Sequence, residues 1–267
     1  MHKTENNKND LVKLIDVTKC TACRGCQVAC KQWNELPATR THNRGSYQNP
    51  PDLQWNTWTL IRFQEHVDEE GKFAWLFRKD GCMHCTDASC VKACPTGALF
   101  KTEFGTVGVH RDLCIGCKAC MAACPFEIPK YDAKTDKCYK CDLCYTRLTG
   151  EQKPSCVLSC PTGALTIGDR ETQLKKAYKR VAELGGNANV YGDKFVGGTH
   201  VIYVLQEPPA VYEKLPENPK VPLSVLLWKN LFKPFTLIGI GAVTGAAALH
   251  YLIKGPHKVH EKNEGGE

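Results

Sequence analysis

The sequence has no run of basic residues, no glycine-rich phosphate loop and no nucleophile set beside a base. The first absence argues against a nucleic-acid partner, because Lys and Arg are scattered along the chain despite a formal net charge of +7. The other two leave the chain without a nucleotide cradle or a covalent-catalysis site, and no pterin or nicotinamide signature replaces them. No catalytic centre is expected here. The opening MHKTENNKND has neither an apolar core nor a twin arginine, so no export signal is expected in it.

What the chain has is cysteine, 17 in 267 residues. Sixteen form four groups: Cys20, Cys23, Cys26, Cys30; Cys82, Cys85, Cys90, Cys94; Cys114, Cys117, Cys120, Cys124; and Cys141, Cys144, Cys156, Cys160. A disulfide framework has no need of repeated two-residue gaps, or of the Cys-Pro that ends three groups. Zinc knuckles pair C-x2-C units across longer stretches and need no further cysteine three residues on. A C-x2-C-x2-C run with that fourth cysteine is the ligand pattern of a [4Fe-4S] cluster, the fourth thiolate crossing to a neighbouring cluster. Four groups therefore imply four [4Fe-4S] clusters, and four clusters in one chain imply electron conduction. Cys138 is left over. Because Cys138, Cys141 and Cys144 also make a C-x2-C-x2-C run, spacing alone leaves Cys138 and Cys141 as alternatives, with Cys141 preferred.

VKACPTGAL (91–99) and VLSCPTGAL (157–165) are an internal repeat in which a short helix stops at Cys-Pro and a Gly turn leads into a strand. If each fourth cysteine crosses to its partner group, four ligand sets follow. They are Cys20, Cys23, Cys26 and Cys160 (the first set); Cys82, Cys85, Cys90 and Cys124 (second); Cys94, Cys114, Cys117 and Cys120 (third); and Cys30, Cys141, Cys144 and Cys156 (fourth). The expected fold is α+β: two nested bacterial-ferredoxin-like modules, each with two clusters, plus one C-terminal transmembrane helix. The outer module takes residues 10–36 and 137–168, and the inner one 82–136. Each oxidised cluster with its four thiolates carries about −2, so four contribute about −8 and bring the loaded protein near neutrality. Without clusters the modules should be largely unfolded.

Residues 37–81 form an insertion of loop and hairpin, with β-branched and aromatic runs at 57–66 and 72–78. Its tryptophans Trp55, Trp58 and Trp75, with Trp33, either cap the outer clusters, the preferred reading, or anchor a partner subunit. Residues 169–207 read as a helix capped by Asp169, then a strand at 200–206, both packing on the modules. Residues 208–222 hold five prolines and read as an extended strap. Residues 223–254 are an interfacial segment, with Trp228 and Lys229 as anchors, and a membrane helix over about 235–253. Those 19 residues carry no acidic or basic side chain except His250, and a polar tail fills 255–267. His250 is either a haem or quinone contact or, by preference, a residue at the headgroups. Lys118, Lys137 and Lys140 stand beside ligand cysteines, where they either raise a cluster potential or are merely solvated.

CTACRGCQVACKQWNEL, GSYQNPPDLQWNTWTLIRF, the KCDLCYTRL and PSCVLSCPTGAL stretches, and the C-terminal apolar segment together resemble the iron-sulfur beta subunit of respiratory formate dehydrogenase. The resemblance runs over nearly the whole chain. Its cysteine spacing is shared with nitrate, polysulfide and sulfoxide reductase subunits, while CKQWNEL and the terminal anchor point to formate. It implies four [4Fe-4S] clusters passing electrons from a molybdenum- or tungsten-pterin catalytic subunit to a cytochrome b membrane subunit that reduces quinone. It places the family's ligands on Cys141, Cys144, Cys156 and Cys160, with Cys138 spare. It further implies export with a twin-arginine partner and a cluster domain outside the cytoplasmic membrane. The alternatives are the equivalent subunit of another molybdopterin oxidoreductase, or a membrane-tethered polyferredoxin.

Overall fold

The computed structural model describes residues 10–68, 70–227 and 233–255, apart from the side chains of 233, 234 and 237. The chain divides into two compact units, Met1–Pro222 and Leu223–Glu267.

In the first unit the strands are β1 (Leu11–Asp16), β2 (Thr59–Val67), β3 (Phe73–Gly81), β4 (Leu99–Lys101), β5 (Val107–Val109), β6 (Lys130–Asp132), β7 (Lys137–Tyr139), β8 (Leu165–Asp169), β9 (Asn189–Tyr191) and β10 (Val201–Leu205). The helices are α1 (Gly25–Trp33), α2 (Ser89–Ala93), α3 (Ala119–Ala123), α4 (Tyr145–Thr149), α5 (Ser155–Leu158) and α6 (Arg170–Leu184).

The largest sheet runs β8-β1-β10-β9. β1 is antiparallel to β8, from Leu11 opposite Asp169 to Ile15 opposite Leu165, and parallel to β10, from Lys13 opposite Val201 to Asp16 opposite Val204. The strand expected at 200–206 forms over Val201–Leu205 and is an inner strand of this sheet. Its five residues are all buried, because a central strand needs both faces apolar. The two-residue period sorts the faces. Val12, Leu14, Ile202 and Val204 meet Ala177, Leu174 and Val181 of α6. Ile15, Val201, Tyr203 and Leu205 meet Cys26, Cys156, Ile61 and Met83 on the opposite side. One face of the sheet thus packs on a helix and the other on cysteine-bearing segments. α6 starts where Asp169 accepts the Thr172 N–H at 2.8 Å, an N-cap that the sequence signals.

The insertion folds as the β2–β3 hairpin, paired from Thr59 opposite Gly81 to Val67 opposite Phe73. Its aromatics divide. Trp58 is 3% exposed and stacks near Tyr139, whereas Trp33 and Trp75 are 42% and 44% exposed.

A buried charge cluster ties this hairpin to the proline-rich strap. Arg62 donates to Asp80 at 2.6 Å, to Asp52 at 2.7 Å and to Glu213 at 3.3 Å, while Arg78 meets Asp80 at 3.2 Å and the Glu213 carbonyl at 2.7 Å. Both guanidiniums lie in the interior, and losing the shared carboxylate leaves Arg78 without a carboxylate partner while Arg62 keeps Asp52 and Glu213. We expect Asp80→Asn to destabilise the cluster-loaded protein by about 3 kcal/mol in denaturant unfolding, near the lower end for a broken buried pair.

The second unit contains α7 (Leu223–Leu227) and α8 (Lys233–Lys254). Among the described residues, no helix is long and apolar enough to cross a membrane. The expected crossing at 235–253 falls inside α8, where Phe235, Ile238, Ile240, Val243, Leu249, Leu252 and Ile253 are all exposed. His250 is exposed on the same helix. The expected anchors Trp228 and Lys229, and the tail from Pro256 onward, lie outside the described residues.

Candidate metal centres

The first C-x2-C loop of each of the four groups contains a left-handed residue directly before its second cysteine: Ala22 (φ 56°), His84 (φ 50°), Gly116 (φ 67°) and Leu143 (φ 60°). For a residue with a Cβ this conformation costs on the order of 1 kcal/mol or more, so three of the four loops hold a strained shape. The turn gathers successive backbone N–H groups into a concavity suited to an anion, as at many iron-sulfur sites. At the fourth group, Leu143 N–H donates to Cys141 Sγ at 3.4 Å. Arg24 (φ 59°) and Lys118 (φ 60°) repeat the left-handed conformation where α1 and α3 begin.

The Cys-Pro-Thr-Gly turns match one another. α2 ends at Cys94 and α5 one residue before Cys160, and Gly97 (φ 72°) and Gly163 (φ 65°) turn the chain into β4 and β8. Thr96 and Thr162 hydroxyls stand 3.7 Å from the sulfurs of Cys94 and Cys160.

These loops and helices bring the sixteen thiols together in fours. Cys20, Cys23, Cys26 and Cys160 line one cavity with Ile61 and Lys79. Cys94, Cys114, Cys117 and Cys120 line another, together with Cys138, Lys118 and Lys140. Cys85 is surrounded by Cys82, Cys124 and Cys90. Cys30 is surrounded by Cys141, Cys156 and Cys144. Cys138 falls apart from that last group, against Cys120, and its N–H donates to Cys114 Sγ at 3.5 Å.

The groups also touch one another. Cys26 neighbours Cys156, Cys90 neighbours Cys120, and Cys30, Cys141, Cys82 and Cys124 share one apolar cluster. Burial pushes the thiols of Cys26, Cys124 and Cys141 up to about 11 and that of Cys90 to about 12. Such thiols keep their protons until a metal displaces them.

Three buried lysines stand among these sulfurs: Lys13, Lys79 and Lys140, at 1%, 3% and 3% exposure. Lys79 Nζ donates to Thr59 Oγ1 at 3.2 Å, and among the described residues no carboxylate pairs with it. Burial works against its charge, but Cys156, Cys26 and Cys141 outweigh burial and raise its pKa. Lys140 Nζ donates to the carbonyls of Val107 at 2.7 Å and Cys141 at 2.8 Å, and its charge is felt by Cys90 and Cys124. An ammonium buried without a counter-ion is costly, and thiolate-ligated clusters of net negative charge would supply the missing anion. Of the three lysines flagged from sequence, Lys140 is the one in the interior. Lys118 is exposed and lies over the Tyr131 ring at 3.9 Å, and Lys137 is half-buried.

His84 gives a second sign of an absent anionic partner. Its Nδ1 accepts the Val107 N–H at 3.1 Å, so the proton of the neutral ring is on Nε2. Burial, with Lys140 and Lys13 nearby, drives its pKa well down and keeps the ring neutral. Nε2 is buried and has no acceptor among the described residues. A donor left in this way costs about 1–3 kcal/mol, and sulfur acceptors in the loop it belongs to would relieve that. No three His, Cys, Asp or Glu side chains among the described residues are arranged to hold a single metal ion. The thiol groups, the anion-seeking loops and the unpaired cations fit a larger, negatively charged group.

Sequence reasoning passed over Lys13, Lys79 and His84. For Lys13 the available signal was a lone lysine inside an apolar strand, LVKLID, which has to be solvated or answered by buried negative charge.

Comparison with known proteins agrees with this chemistry. Families described as "4Fe-4S dicluster domain" match residues 73–170 and residues 19–98, and one described as "Formate dehydrogenase N, transmembrane" matches residues 221–264. The formate dehydrogenase-O iron-sulfur subunit of Escherichia coli (strain K12) is 44% identical over 262 residues, covering 96% of this chain and 87% of its own. The formate dehydrogenase iron-sulfur subunit of Haemophilus influenzae is 43% identical over 263 residues, 96% of this chain and 84% of its own. Formate dehydrogenase 2 subunit beta (cytochrome c-553) of Nitratidesulfovibrio vulgaris is 41% identical over 211 residues, 74% of this chain and 94% of its own. Two dicluster domains give four [4Fe-4S] clusters and an electron-transfer role, and the C-terminal match associates the chain with a membrane. By identity over nearly its full length, and by four thiol groups shaped for iron-sulfur clusters, this chain belongs to the family of formate dehydrogenase iron-sulfur subunits.

Proposed function

We propose that the chain carries electrons within a membrane-bound formate dehydrogenase, from a molybdenum- or tungsten-pterin subunit that oxidises formate to a cytochrome b subunit that reduces quinone. The four ligand sets are those derived from the cysteine spacing, with Cys141 in the fourth set. The observation that carries the reading is the order in which the sets adjoin. Cys26 and Cys156 link the first set to the fourth, a shared apolar cluster links the fourth to the second, and Cys90 and Cys120 link the second to the third.

Cys85 of the second set also packs against the cluster that holds Cys26 and Cys156, and of the seventeen cysteines only Cys23 and Cys117 are exposed, one in the first set and one in the third. A conductor needs accessible ends and a dry middle, whereas four independent structural clusters need neither. When bound, [4Fe-4S] clusters supply reversible one-electron chemistry, with potentials set by hydrogen bonding, charge and burial. The chain's residues fix the order, exclude water from the middle positions and place Lys79 and Lys140 between neighbouring sets. Pairing of β1 with β8 supports an outer module of 10–36 and 137–168, and the β4–β5 hairpin with α2 and α3 supports an inner one of 82–136.

The C-terminal unit is read as the part that associates with the membrane, on the family match over 221–264 and the exposed apolar side chains of α8. The cluster domain is read as lying outside the cytoplasmic membrane, exported with a twin-arginine partner. Purifying the native complex through a tag on this chain tests the reading. A large subunit containing pterin-bound Mo or W, with formate-dependent quinone reduction, is expected. A large subunit acting on nitrate, polysulfide or a sulfoxide would assign the chain to a sister enzyme.

A further inference from the structure

Two buried donors in the ligand segment of the second set have nothing to donate to. His84 is 0% exposed and Ser89 3%, and neither His84 Nε2 nor Ser89 Oγ has a hydrogen-bond partner among the described residues. His84 stands directly before Cys85, and Ser89 directly before Cys90. Nδ1 of His84 accepts the Val107 N–H at 3.1 Å, which excludes the doubly protonated ring and leaves the one proton on Nε2. The carbonyl of the same Val107 accepts from Lys140 Nζ at 2.7 Å. The ring is thus fixed against β5 by one nitrogen, while the N–H of the other is left without an acceptor.

The internal repeat shows where such a hydroxyl points. SCVKACPTGAL (89–99) and SCVLSCPTGAL (155–165) both open a short helix on serine, α2 at Ser89 and α5 at Ser155. Ser155 Oγ stands 3.5 Å from the sulfur of Cys144, the second cysteine of its own set. The matching sulfur in the second set is that of Cys85. At the left-handed position before that cysteine the fourth set has Leu143 (φ 60°), whereas the second has His84 (φ 50°). An apolar side chain serves this backbone position in the fourth set, so a buried imidazole with an unanswered N–H is the feature to be explained.

We propose that the Nε2–H of His84 and the hydroxyl of Ser89 each donate to a sulfur of the second cluster and thereby raise its reduction potential. This rests on assigning Cys82, Cys85, Cys90 and Cys124 to one cluster. Reduction adds negative charge to the sulfurs, so a donor fixed against them bonds more strongly to the reduced form and favours it. Neither residue ligates iron or changes its own charge. The fourth set has the serine without the histidine, so the second set has one more donor built into the same loop and helix.

The test is redox titration of the intact complex followed by low-temperature EPR, with chemical reductants setting the potential so that formate plays no part. Cys85→Ser and Cys124→Ser identify the second cluster's signal, which both should alter. Ser89→Ala and His84→Asn are each expected to shift the reduction equilibrium of that signal about tenfold toward the oxidised form, a fall of about 59 mV for a one-electron couple, with iron per complex unchanged. The Asn oxygen keeps an acceptor for Val107 N–H but no donor as far out as Nε2. His84→Gln places an amide nitrogen near the position of Nε2, and its potential is expected to stay close to that of the wild type. An unmoved potential in Ser89→Ala or His84→Asn would overturn the role of that donor, and Ser89→Ala is small enough to decide its own case should a His84 variant fail to assemble. A fall in His84→Gln equal to or larger than that in His84→Asn would trace the effect to the Val107 bond and overturn the sulfur contact. Cys85→Ser and Cys124→Ser altering different signals would instead overturn the membership of the second set, and the inference with it.

Discussion

Replacing Cys141 with Ala is expected to cut formate-driven quinone reduction by about a hundredfold or more, equivalent to roughly 2.7 kcal/mol added to the barrier. Cys141 is buried among Cys30, Cys144 and Lys13, in the set that adjoins both the first and the second. Removing it takes a ligand from the set that adjoins both the first and the second. Formate oxidation measured with a dye that accepts electrons directly from the catalytic subunit should persist, because that step precedes the gap. Cys138→Ala should leave quinone reduction near the wild-type rate, since its contacts are with the third set. The two substitutions thus separate residues that spacing alone leaves interchangeable. Loss in Cys138→Ala with Cys141→Ala near the wild-type rate would place Cys138, not Cys141, in the fourth set.

The second large effect concerns Lys79. Its ammonium is buried next to Cys26 of the first set and Cys156 and Cys141 of the fourth, and no carboxylate pairs with it among the described residues. Reduction adds negative charge to a cluster, and a fixed positive charge nearby favours the reduced form. Lys79→Met keeps most of the side-chain volume and removes the charge. We expect the midpoint potentials of the first- and fourth-set clusters to fall by roughly 50–100 mV, or about 1–2 kcal/mol for a one-electron couple. The second- and third-set potentials should move much less. Redox titration followed by EPR reads all four. A uniform shift, or none, would reduce Lys79 to a packing residue.

The cysteine groups, their Cys-Pro stops, the glycine turns and the Asp169 cap are legible in the sequence because each follows from local chemistry. A thiolate count, a missing N–H and a left-handed glycine are properties of a few adjacent residues. The 57–66 and 72–78 runs show their alternation and form the hairpin. Other features depend on distant segments and stay hidden. Nothing local indicates that Val201–Leu205 slides in parallel beside Leu11–Asp16, since that pairing joins strands from opposite ends of the first unit. Lys79 looks like one more surface lysine until the hairpin folds it against Cys26 and Cys156. Ala22, His84 and Leu143 carry no mark of their left-handed backbone, which the loops impose in the absence of glycine. The tryptophans illustrate the same limit. Trp58 is a core residue and Trp75 is 44% exposed, although both belong to the aromatic runs of one hairpin insertion.

Formate is the expected source of electrons for all four clusters. Low-temperature EPR of the anaerobically purified complex, recorded before and after adding formate, tests it most directly. Formate-dependent appearance of several magnetically interacting reduced [4Fe-4S] signals is expected, all also accessible to dithionite. Clusters that reduce with dithionite yet ignore formate, in a preparation retaining its large subunit and pterin metal, would contradict it.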